Sequence, residues 1–127
     1  MENKATLAEL YLPDYLYTTG TVVVMGGTKE ITNSVNKNDR HVLGVVVNNP
    51  EYKMNTILKQ GIPVAYSGRS VCNVTGVINK GDLLVTSAVS GSAMSNNNPK
   101  IGTVVGKALE SNHNGEKPQI EALIFIG

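Results

Sequence analysis

The stretch Asn79–Leu109, NKGDLLVTSAVSGSAMSNNNPKIGTVVGKAL, decides how this chain is read. It holds a Lys80-Gly81-Asp82 turn, an apolar Leu83-Leu84-Val85 run, a long loop of small residues, and a second apolar run through Gly102-Thr103-Val104-Val105. Short apolar runs bounded by Gly, Asn and Ser read as strands. Nothing in the stretch groups residues for reaction chemistry; it reads as a unit built for shape.

A similar unit stands upstream. Gly20-Thr21-Val22-Val23-Val24 precedes Val42-Leu43-Gly44-Val45-Val46 much as Gly81-Asp82-Leu83-Leu84-Val85 precedes Val104-Val105-Gly106-Lys107-Ala108. Position 20 maps to 81 and 42 to 104, offsets of 61 and 62 residues. Chance similarity of two β-units and an internal duplication both account for this. A duplication implies a compact β-barrel or sandwich with pseudo-two-fold character.

Composition agrees with a mostly β class. The aliphatic residues are largely Val and Ile, whose branched Cβ suits a pleated surface and loses rotamer freedom in a helix. Thirteen Gly, five Pro and many Asn and Ser supply turns. A length of 127 residues fits one domain able to close a core without metal or disulfide. We expect an N-terminal arm over residues 1–19 and one β domain over 20–127. Within the arm, Asn3–Leu10 is the one helical candidate, for its Leu7/Leu10 spacing and its Ala residues. Further strands are expected at Thr21–Met25, Val42–Val47, Ile62–Tyr66, Arg69–Thr75, Asp82–Thr86, Gly102–Leu109 and Ile120–Ile126. Residues 51–60 read as a loop with a helical turn, and Ala93-Met94 as a brief pairing inside the Ser87–Lys100 loop. Both faces of Ile120–Ile126 are mostly apolar, so that strand should be central or covered on its second side.

Function classes narrow in the same way. Eleven basic against ten acidic residues give a formal charge of +1, with only Arg40 and Arg69 as arginines. Nucleic-acid binding needs clustered cations, so no nucleic-acid partner is expected, nor an electrostatic membrane patch. No run reaches the roughly 18 apolar residues of a membrane helix, and Met1–Leu10 lacks a secretory signal pattern, so synthesis in a cytosol is expected. Cys72 is the single cysteine and alternates with Ser70 and Val74, the pattern of a buried, unreactive thiol. His41 and His113 have no second ligand at metal spacing, so no metal and no cofactor is expected. Phosphate-loop and nucleophile-elbow motifs are absent. A Ser/Lys self-cleaving site would draw on Ser67, Ser87, Ser90, Ser92 or Ser95 and on Lys80, Lys100 or Lys107, but nothing in the sequence pairs them. Lys107, inside an apolar run, reads as a surface-facing strand residue rather than a carrier lysine.

The order of residues resembles a small β-rich domain of tailed-bacteriophage virion proteins, of fibre-tip or capsid decoration (cement) type. The blocks that carry the resemblance run from Thr6-Leu7-Ala8-Glu9-Leu10-Tyr11 to Gly106-Lys107-Ala108-Leu109-Glu110. They include Gly44-Val45-Val46, Asn49-Pro50-Glu51-Tyr52-Lys53-Met54-Asn55, Ile62-Pro63-Val64-Ala65 and Lys80-Gly81-Asp82-Leu83-Leu84-Val85-Thr86-Ser87. The chain departs from the family at Thr6, usually Asp, and at Ser90-Gly91, usually Pro-Gly; these touch a cap and a turn. The resemblance implies a non-catalytic virion structural protein, commonly a homotrimer, with other virion proteins such as the major capsid protein as partners. With its own Met1 and no shaft repeats, a small stand-alone virion protein is expected, made in the host bacterial cytoplasm. Its alternatives are a self-cleaving Ser/Lys domain of a viral fibre and a host glycan-binding fibre tip; the scarcity of aromatics speaks against the latter. Contact with other subunits is expected from the arm, through Leu7, Leu10, Tyr11, Leu12, Tyr15, Leu16 and Tyr17, which carry more apolar surface than a solvated tail should. Ser92 and Met94 in the long loop join that list.

Overall fold

The computed structural model describes residues 6–127 and is all-β over them. Ten strands run in chain order: β1 Thr6–Tyr11, β2 Val22–Met25, β3 Ile31–Asn33, β4 Val42–Val46, β5 Tyr52–Met54, β6 Ile62–Asn73, β7 Leu83–Thr86, β8 Ala93–Ser95, β9 Val104–Ala108 and β10 Gln119–Phe125. They form one curled, half-barrel sheet of order β3-β2-β4-β6-β10-β9-β7-β8, with β1 pairing β6 and β5 off that path. This is the mostly β, barrel-like class that the composition implies.

The internal repeat is a feature of the backbone. In the first copy Val23 faces Gly44 and Val24 faces Val42, skipping Leu43; in the second Leu84 faces Gly106 and Val85 faces Val104, skipping Val105. The bulge therefore recurs at the same place. Outer pairings repeat too: Val23↔Asn33 and Val24↔Thr32 match Leu84↔Ser95 and Val85↔Met94. Gly20 N–H donates to Val46 O at 2.8 Å, as Gly81 N–H does to Ala108 O at 2.9 Å. Ser34 N–H donates to Val22 O at 3.0 Å, as Asn96 N–H does to Leu83 O at 2.9 Å.

Both central glycines answer to one demand. A Cβ on Gly44 would lie 2.1 Å from Ala65 O, and one on Gly106 would lie 2.0 Å from Leu123 O. The neighbouring strand passes too close for any side chain at that register position.

The two half-sheets, β3-β2-β4 and β8-β7-β9, are joined through β6 and β10. Strand β6 serves both. Its Val64 and Ala65 pair with β4, its Ser67–Asn73 with β10, and β1 runs along its other edge from Ile62 to Gly68. The sequence reads β6 as two strands broken by a Ser67-Gly68 turn. In the fold the chain passes straight through, with Gly68 absorbing the irregularity at φ +113°.

The main core holds Val22, Val24, Val45, Cys72, Ile78, Leu84, Val105, Ile120, Ala122 and Ile124. A second cluster joins Val23, Ile31, Val46 and Val64 with the half-buried Tyr11, Tyr17, Leu43 and Ile62. The repeat thus does not extend to burial. Val22 faces the main core while its twin Leu83 is half-exposed, and Val45 is fully buried while its twin Lys107 is exposed.

The helix expected over Asn3–Leu10 is not formed where the structure describes it; Asn3–Ala5 lie outside the described residues. Thr6–Tyr11 alternates buried and half-buried side chains, with Thr6, Ala8 and Leu10 inward. Six residues are too few for a stable lone helix, and pairing on two sides, with β6 and β5, overrides the helix propensity of Leu, Ala and Glu. Residues 52–54, read as loop, form β5 parallel to β1. The chain from Thr6 to Tyr11 is extended, as an arm would be, but is hydrogen-bonded into its own sheet.

Candidate partner-binding surface

The residues expected to contact a partner occupy three settings. Leu10 and Ser92 are buried, at 9% and 8% exposure. Leu7, Tyr11, Leu12, Tyr17 and Met94 are half-buried, and Tyr11 and Tyr17 close the second core cluster. Tyr15 and Leu16 alone project, at 73% and 78%.

The segment between β1 and β2 is fastened on both sides of those two residues. Leu12 N–H donates to Glu30 Oε1 at 2.8 Å, and Leu12 O accepts from the N–H groups of Glu30 and Ile31. The Tyr17 hydroxyl donates to Asp14 and meets Thr32 Oγ1 at 3.2 Å. Burial, then the Asp14 carboxylate, pushes the Tyr17 phenol above its ordinary range, while the Tyr17 hydrogen bond holds Asp14 below its own. Tyr15 and Leu16 are therefore presented on an anchored loop, with the Tyr15 ring 5.9 Å from that of Tyr17.

The Ser87–Lys100 loop folds back instead of projecting. Gly91 N–H donates to Ser34 O and Gly91 O accepts from Val22 N–H, so its tip docks on the first copy of the repeat.

A second apolar surface lies across the outer face of the sheet. Tyr52 pairs with Leu7, Leu7 with Ser67 and Ser67 with Phe125, so one row crosses β5, β1, β6 and β10. Tyr52 is 67% exposed, and Phe125 and Leu123 on β10 are 38% and 42% exposed. Beside them Leu123 pairs with Arg69 and Lys107. Of these only Leu7 was singled out in the sequence. The signal for the rest was the two-sided apolar character of β10, which is central between β6 and β9, as expected, yet uncovered on its second side by the described residues.

Reactive groups are held in structural roles. Cys72 is fully buried, and burial pushes its thiol up to about 12. Ser87 Oγ donates to Ser92 O at 2.8 Å and Val89 O at 3.1 Å, and Ser95 Oγ donates to Asp82 Oδ2 at 2.7 Å. Ser90 Oγ pairs with the Asn33 side-chain amide. Asp82 also accepts from Asn97 Nδ2 at 2.9 Å and Asn79 N–H at 2.8 Å, and these bonds, Asn97 first, hold its carboxyl below the usual carboxylate range. His41 Nδ1 lies 2.9 Å from Asp39 Oδ1, and His113 sits in an exposed turn.

No protein-family model matches the chain, and no curated protein matches its sequence. Solved structures do match in fold, two of them from bacteriophage phi29. The head fibre gp8.5 N base of bacteriophage phi29 aligns over 94% of this chain and 93% of its own, at 14% identity and a TM-score of 0.55. The C-terminal fragment of bacteriophage phi29 gene product 12 aligns over 95% and 99%, at 13% identity and a TM-score of 0.61. The chain shares its fold with these two phage proteins.

Proposed function

We propose that this chain is a non-catalytic structural protein of a bacteriophage virion that assembles as an oligomer, at a head fibre or on the capsid as a decoration protein. The observation that carries the reading is the near-complete fold match to a phage head fibre base. The uncovered row Tyr52–Leu7–Ser67–Phe125, continued by Leu123, supports the oligomeric part, because a central strand with apolar side chains on both faces is expected to be covered. Further copies of the chain and another virion protein, such as the major capsid protein, are the partners this reading names. The self-cleaving alternative finds no support in the hydroxyls of Ser87 and Ser95, which donate to backbone carbonyls and to Asp82.

Light scattering on the purified chain, followed by co-sedimentation with virions lacking it, tests the reading. A defined oligomer, expected to be a trimer, that sediments with the particles supports it. A monomer at high concentration that stays in the supernatant overturns it. Mass spectrometry of the stored protein tests the non-catalytic part: one intact species is expected, and a cut beside a serine would sink it.

A further inference from the structure

The repeat places two equivalent loops side by side. The β3–β4 connection, residues 34–41, and the β8–β9 connection, residues 96–103, are equal in length and occupy twin positions. They meet through Asn96 Nδ2, which donates to Asn38 Oδ1 at 3.0 Å. Between them opens a cavity of about 330 Å³ lined by Asn38, Arg40, Asn96, Asn98, Lys100 and Thr103. Its lining contains two cations, three amides and a hydroxyl, with neither a carboxylate nor an aliphatic side chain.

Both walls are fixed before any ligand arrives. On the first, Asn38 N–H donates to Thr86 O at 3.1 Å and Asp39 N–H to Thr86 Oγ1 at 2.7 Å, while the fully buried Thr86 hydroxyl donates to Asn36 O at 2.7 Å. On the second, Thr103 Oγ1 donates to Lys100 O at 2.6 Å and Asn98 N–H to Asn96 Oδ1 at 3.0 Å. Asn97, between them, is tied to Leu83 N–H and to Asp82. The nearby Asp39 carboxylate is engaged by His41. Among the described residues Arg40 and Lys100 have no carboxylate partner, and the Asn98 side-chain amide and the Asn38 amide hydrogens have no hydrogen-bond partner.

We propose that this cleft binds an oxyanion carried on a hydroxylated molecule, the chemistry of a sugar phosphate or a sugar acid. Arg40 and Lys100 take the anion, Arg40 through its planar fork and Lys100 as a point charge. The Asn98 side-chain amide, which both donates and accepts, and the unpaired amide hydrogens of Asn38 take hydroxyl groups. The inference is independent of the oligomeric reading, since none of these residues lies on the Tyr52–Phe125 row.

Amide-detected NMR of the full chain, titrated with glucose 6-phosphate, glucuronate, inorganic phosphate and glucose, tests it. Glucose 6-phosphate and glucuronate are expected to give saturable, millimolar shifts confined to residues 36–41 and 96–103. Inorganic phosphate and glucose should each bind roughly tenfold more weakly. Arg40→Gln and Lys100→Gln should each weaken glucose 6-phosphate about tenfold, with spectra otherwise unchanged because both side chains are exposed. Linear shifts spread over other lysines, or variants that bind as well as the parent, would overturn the site. Equal binding of inorganic phosphate and glucose 6-phosphate would overturn the hydroxyl-binding half of the proposal.

Discussion

Replacing Gly106 by Ala probes the repeat at its tightest point. The new Cβ would stand 2.0 Å from Leu123 O and 3.0 Å from Ile124 Cα, and backbone atoms cannot rotate aside as a side chain end can. Strands β9 and β10 must therefore separate locally by about 1 Å, where Gly106↔Ile124, Lys107↔Leu123 and Ala108↔Ala122 pair. Overpacking costs about 1–3 kcal/mol, and each strained ladder bond adds about 0.5–1.5 kcal/mol. A loss of about 3–4 kcal/mol follows, a large share of the roughly 5–15 kcal/mol that holds a domain folded. In thermal unfolding followed by circular dichroism this is a fall in Tm of about 12–16 °C. Gly44→Ala should behave alike, its Cβ lying 2.1 Å from Ala65 O. Gly81→Ala is the control: no atom lies within 4 Å, and only its φ of +95° opposes a side chain, at about 1 kcal/mol or 4 °C. If Gly106→Ala and Gly81→Ala lower Tm equally, close strand approach is not what those twin glycines serve.

Four further outcomes follow from the same geometry. Asp82→Ala should cost about 2–3 kcal/mol in urea unfolding, because it strands Asn79 N–H, Ser95 Oγ and Asn97 Nδ2 at once. Since the folded carboxyl titrates below its usual value of 3.8, its contribution is full above that pH and is lost as pH falls further; Asp82→Asn should flatten that acid limb of stability. Cys72, with its thiol near 12, should react with a thiol reagent at pH 8 only as fast as the protein opens, so a labelling rate that is fast and insensitive to urea would refute its burial. Leu123→Glu with Phe125→Glu should shift Tm by less than about 2 °C yet reduce the light-scattering mass to that of one chain; an unchanged mass would remove the outer face of β10 as the subunit contact.

Much of the sheet is legible in local pattern. The strands β2, β4, β7, β9 and β10 are short apolar runs between glycine turns, and each lies within a residue or two of its expected bounds. The N-terminal segment is not legible that way. In TLAELY the helix formers Leu, Ala and Glu coexist with a two-residue alternation, and only the presence of β6 and β5 alongside selects the strand. Strand β6 was hidden by Ser67-Gly68, a turn signal that Gly68 instead uses to carry one strand past two partners. Among exposed apolar residues, those of the arm stand out in sequence because they cluster there, whereas Tyr52, Leu7 and Phe125 become neighbours only through three pairings distant in the chain.

The asymmetry of the repeat explains where apolar surface is left exposed. Each half-sheet places one face on the main core: Val22 and Val24 in the first, Leu84 and Ala108 in the second. Of the remaining faces, the first is closed within the chain, since Tyr11, Tyr17 and Ile62 pack over Val23, Val46 and Val64. Among the described residues the second has no such cover over β9 and β10, where Lys107 is exposed and Leu123 is 42% exposed. The two faces are exchanged between the copies: Leu84 and Ala108, which meet the main core, are the twins of Val23 and Val46, which lie under the N-terminal segment. Lys107 sits inside an apolar run because it occupies the position of Val45 on the face that meets the core in the first copy and points outward in the second. A lysine there extends its charge past its own aliphatic stem into solvent, while Leu123 and Phe125 supply the apolar area that the proposed oligomer would bury.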